Sequence, residues 1–174
     1  MPEQSEAGEP FSVEQRAGLD GRRRDQDRTL SAMHDLESAL ASAAPGRESD
    51  WRAAVLDALD VLEAAAEEEA DNSDQPDSLL SDIALHQARL RNRVRALRLQ
   101  YHQVRDAIES LRHELGESDE QAVDFADVRQ RLGSVLAALR HQRARESDLI
   151  YEAYYEAFRT DLRADGEVAD SSQS

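Results

Sequence analysis

Residues 90–111 read LRNRVRALRLQYHQVRDAIESL, and the spacing of their apolar side chains decides the fold. Leu90, Val94, Leu97, Tyr101, Val104, Ile108 and Leu111 recur at steps of four and three. That rhythm is the buried stripe of a helix packed at a shallow angle in a bundle. Phe125, Val128, Leu132, Val135 and Leu139 repeat it further along the chain. No stretch alternates with period two, so no sheet is expected. Composition agrees: 27 alanines and 20 leucines stand against 12 valines and isoleucines together, a ratio that favours helix over strand.

Working outward from that stripe, four helical segments are expected. The first runs from about Asp27 to Ala44 and is stopped by Pro45-Gly46. The second opens at a Ser49/Asp50 cap, runs to about Asp71 and is broken by residues 72–76. The third begins at Asp77 and continues to Leu115, where Gly116 ends it. The fourth is opened by a capping box at Ser118 to Gln121 and reaches about Arg163. Gly133 inside it costs about 1 kcal/mol relative to alanine. Short loops between such helices predict an all-α, up-down-up-down four-helix bundle built from two helix-pair repeats. A long coiled-coil dimer is the competing architecture, and the two breakers favour the bundle. The bundle is expected over 26–163, with disordered polar tails at 1–25 and 164–174.

The chain has 174 residues, 21 basic and 37 acidic side chains and a net charge of -16. All 21 basic residues are arginine. Such a field repels phosphate backbones, so nucleic acid is not an expected partner. No apolar run nears the roughly 20 residues of a bilayer span, so no membrane partner is expected. No basic and apolar leader opens the chain, and the expected location is the cytoplasm. Without cysteine, thiolate metal sites, iron–sulfur clusters and cysteine nucleophiles are excluded. No phosphate loop, nucleophile elbow or Glu-x-x-His pair is present, and a non-catalytic role is expected.

The two halves can be laid over each other. Leu59, Leu62, Ala65 and Glu69 share the spacing 3, 3, 4 with Leu136, Leu139, Gln142 and Glu146. At about 100° per residue, Glu69 lies about 20° from Leu62, and Glu146 about 20° from Leu139. Both glutamates therefore fall on an apolar stripe, where a carboxylate needs a partner. His34 precedes Leu36 and Leu40 as His86 precedes Leu90 and Val94, so each half offers one histidine and one glutamate toward the interior.

On these residues the chain resembles the hemerythrin-like family, over about residues 27–158. The resemblance implies a bundle of two helix pairs holding two irons. His34 and His86 match the first-helix histidines, and Glu69 and Glu146 the second-helix carboxylates. Ala65 and Gln142 stand where that family has its remaining histidines. The remaining His34, Glu69, His86 and Glu146 set would hold iron, as one or two ions, or another divalent metal, for sensing or storage. The alternative is a relic site with no cofactor, its glutamates bonded to buried arginine, and a metal-free interaction or scaffold bundle. Arg143, close to the fourth stripe, is the expected arginine. His141 is expected to face solvent, and His102 and His113 to be surface groups. A protein partner or a homodimer is the expected association; Tyr151 and Tyr155, four apart, would cover a helix or a dimer surface.

Overall fold

The computed structural model describes residues 11–42, 46–117 and 124–170, the last stretch as backbone only from 156. Five α-helices account for nearly all of it, with no strand among the described residues: α1 (Val13–Ala41), α2 (Glu48–Asp74), α3 (Leu79–His86), α4 (Arg91–Glu117) and α5 (Phe125–Asp170). The four long ones pack together, as the apolar spacing predicts. α1 lies on α2, α2 on α4, and α4 on α5, while α1 and α5 approach each other more sparingly.

Helix ends differ from the sequence reading in instructive ways. α1 starts at Val13, where a tail was expected, because Ser12 and Gln15 form a reciprocal capping box. α2 starts at Glu48 with no side-chain cap and runs on to Asp74. Ser78, not Asp77, caps α3, accepting from the Ser81 amide at 3.2 Å. The single helix expected from Asp77 to Leu115 is broken at Gln87 (φ -117°, ψ 80°), followed by a 3-10 turn over Ala88–Leu90. Asp124 caps α5 by accepting from the amides of Ala126 and Asp127. The capping box expected at 118–121, Pro45 and the extreme tails lie outside the described residues.

The apolar core falls into two clusters. One holds Met33, Leu36, Val55, Leu59, Leu62, Ile108 and Leu139. The other holds Leu80, Ile83, Leu90, Leu97, Tyr101 and Leu149. Glu69, Glu146, Arg22, Thr29 and Gln142 belong to neither, yet all are buried. A polar layer thus lies within the interior of the bundle.

Candidate functional site

That layer is built from four helices. α1 presents Arg22, Gln26 and Thr29 at steps of four and three, on one face of the helix. α2 contributes Glu69, α4 Tyr101, and α5 Gln142 and Glu146 one turn apart. Glu69 is 1% exposed and Glu146 0%. Arg22 reaches between them. Its Nη2 donates to Glu69, to Glu146 and to the Tyr101 hydroxyl, and its Nε pairs with the second oxygen of Glu146. The guanidinium carbon also lies 5.1 Å from the centre of the Tyr101 ring, within cation–π range. Thr29 Oγ1 donates to Glu69 at 3.0 Å and Gln26 Nε2 to Glu146 at 2.8 Å. Arg22 Nη1 and Gln142 Oε1 are buried without a hydrogen-bond partner.

One guanidinium faces two carboxylates, so the layer would carry one excess negative charge if all were ionised. A dry interior resists that. Burial pushes the Glu69 carboxyl above the usual range; Arg22 pulls it back and Glu146 pushes it further. Burial likewise lifts the Tyr101 hydroxyl well above its ordinary value. Burial alone would lower the Arg22 pKa, but Tyr101, Glu146 and Glu69 outweigh it and hold it raised. The layer therefore sets one guanidinium against two buried glutamates, with burial resisting the charged form of Glu69.

The structure gathers Glu69 and Glu146 around Arg22 and leaves both histidines outside. His34 is 76% exposed, its Nδ1 3.7 Å from Glu37. It lies about 100° from the buried Met33, on the outward side of α1. His86 is 63% exposed and turned back on Asp82 at 3.0 Å. The break at Gln87 resets the phase of Leu90, so that Ile83 and Leu90 are both buried while His86, the last residue of α3, faces out. Ala65 and Gln142 are buried. Arg143 instead donates to the Gln26 carbonyl at 2.6 Å. His141 is exposed, and His102 bonds Asp74 at 2.8 Å on the surface.

A pair of irons does not fit these residues. The two carboxylates are engaged by arginine, and the two imidazoles that iron would want lie elsewhere. Among the described residues, no three His, Asp or Glu side chains gather as a metal would need. In comparisons with protein-family models, characterised proteins and solved structures, nothing matches the chain.

The chemistry of the layer is that of a clasp. A guanidinium holds its proton throughout the physiological range, and Tyr101 is pushed further from titrating. A cleft of about 510 Å³ opens beside it, between α1 and the junction of α2 with α3. Its polar walls are already engaged with each other, Arg28 with Glu68 and Asn72 with Asp25.

Tyr101 falls on the expected buried stripe, whereas Arg22, Gln26 and Thr29 are the members of the layer that sequence reasoning did not place. Their only signal is spacing: Gln15, Leu19, Arg22, Gln26, Thr29, Met33 and Leu36 continue one helical face.

Proposed function

We propose that this protein is a metal-free helical interaction or scaffold bundle. In this reading an arginine from α1 takes the place between two interior carboxylates that a cation would otherwise fill. The observation that carries it is buried Arg22 bonded to both Glu69 and Glu146. If the chain descends from a hemerythrin-like bundle, that substitution accounts for interior carboxylates kept without their histidines. An up-down-up-down course belongs to the same reading. It is supported by cross-helix pairs that descend on one helix as they ascend on its neighbour: Asp25 with Asn72 and Arg28 with Glu68, then Arg98 with Asp74 and Arg112 with Asp60. Function then lies on the outer surface, by protein association rather than catalysis.

Elemental analysis of untagged protein, before and after anaerobic addition of ferrous iron, tests the reading. The expected result is far less than one equivalent of iron, unchanged in a His34→Ala/His86→Ala double variant. One or two equivalents that disappear in that variant would overturn it in favour of a working metal centre.

A further inference from the structure

α1 is bare where it passes the corner between α2 and α3. Ala17, Gly18 and Gly21 line one side of the cleft there, and the turn from Asp74 to Leu79 bounds the other. A Cβ added at Gly18 would rest against Leu79 at 3.8 Å, whereas one at Gly21 would meet only Arg24 Nη2, at 3.9 Å. The missing side chains leave a volume of about 510 Å³, within the range of small-molecule sites.

The wall formed by the corner is tied in place. Ser78 Oγ donates to the Ser73 carbonyl at 2.9 Å, Ser81 Oγ to the Gln75 carbonyl at 2.7 Å, and Arg98 Nε to the Ser73 carbonyl at 2.9 Å. A wall held in this way is already ordered before a ligand arrives. Arg22 belongs to the inner wall. Its side chain is 9% exposed, and its Nη1 is buried without an acceptor. A buried donor left unpaired is costly, so an oxygen presented to it is favoured.

The surrounding charge decides what carries that oxygen. Four carboxylates line the cleft against three arginines. Arg28 is paired with Glu68, and Arg22 is already shared by Glu69 and Glu146 behind it. Glu14 and Asp77, both exposed, hold no hydrogen bond or ion pair among the described residues. An anion in the cleft would be repelled, whereas a neutral oxygen on a cationic molecule suits both the arginine and the acids.

We propose that the cleft binds a small organic cation that also carries a neutral oxygen, of the amino-alcohol or amino-sugar kind. The oxygen accepts from Arg22 Nη1, and the ammonium group lies toward Glu14 and Asp77. This adds a ligand to the metal-free reading and does not rest on it.

Three probes separate the two features. D-Glucosamine carries both charge and oxygen, D-glucose the oxygen alone, and putrescine the charge alone. Each is titrated into the full, isotope-labelled chain to about 10 mM, above the millimolar affinity expected of so small a ligand, and amide shifts are followed by NMR. The expected result is saturable shifts with glucosamine around the cleft, and a response roughly tenfold weaker to either of the others. Glu14→Gln/Asp77→Asn should weaken glucosamine binding several-fold. Gly21→Leu, which fills the cleft and leaves Arg22 in place, should abolish it. Helical circular dichroism should be unchanged in both variants. No saturable shift with glucosamine overturns the proposal. Glucose binding as tightly overturns it because the charge then adds nothing. Putrescine binding as tightly overturns it because general attraction to an acidic surface then suffices. Binding that survives Gly21→Leu overturns the cleft as its site. None of these outcomes bears on the iron measurement.

Discussion

Arg22 faces two buried glutamates with a single positive charge. Breaking a buried ion pair by removing one partner leaves an uncompensated charge and costs about 3–5 kcal/mol. Arg22→Ala should therefore lose about that much in urea unfolding, whereas Arg22→Met with Glu69→Gln and Glu146→Gln should recover most of it. If the triple variant is no more stable than Arg22→Ala, charge compensation is not what the arginine supplies. The pH dependence has a definite sign. Because the Glu69 pKa is raised by burial, the folded state holds a proton that the unfolded state releases first. Its contribution is thus fully present below the ordinary carboxylate range and is lost as pH rises toward its folded value. Stability of the wild type relative to Glu69→Gln, followed by urea melts upward from pH 4, should fall as pH increases. The interior place of both glutamates was legible in the sequence, from their angle to Leu62 and Leu139. Their partner was not, since Arg22 stands in a run of three arginines and only its helical phase with Thr29 and Met33 marks it as the inward one.

The long helices were legible wherever their buried face is apolar, as in α4 and the first half of α5. α1 was cut short because its inner face before Thr29 is polar or small, with Gln15, Gly18, Leu19, Arg22 and Gln26 in place of a leucine run. Hydrophobic periodicity cannot see a stripe of correct period and uncharacteristic chemistry. The break at Gln87 was invisible for the opposite reason: no glycine or proline marks it. The helical cost assigned to Gly133 can be measured. A Cβ there meets nothing within 4 Å, and the position is exposed. Gly133→Ala should raise stability by up to about 1 kcal/mol in thermal unfolding; a loss would mean that α5 bends at this point in solution.

For the whole molecule, the net charge of -16 identified an acidic surface and said little about the architecture beneath it. Much of that surface is laced by cross-helix pairs such as Arg131 with Glu114 and Arg140 with Glu37. Exposed pairs of this kind are screened by solvent and contribute little, so they do not decide the fold. The polar layer does more. Displace one helix by a single turn, about 5.4 Å, and Glu69 would stand where Ala65 or Ser73 now is, out of reach of Arg22. A core made only of leucine and alanine tolerates such slippage, because one apolar layer resembles the next. Here the arginine and its two glutamates act as an alignment mark shared by three helices, and a bundle assembled one notch out of register would leave a bare charge in its oil.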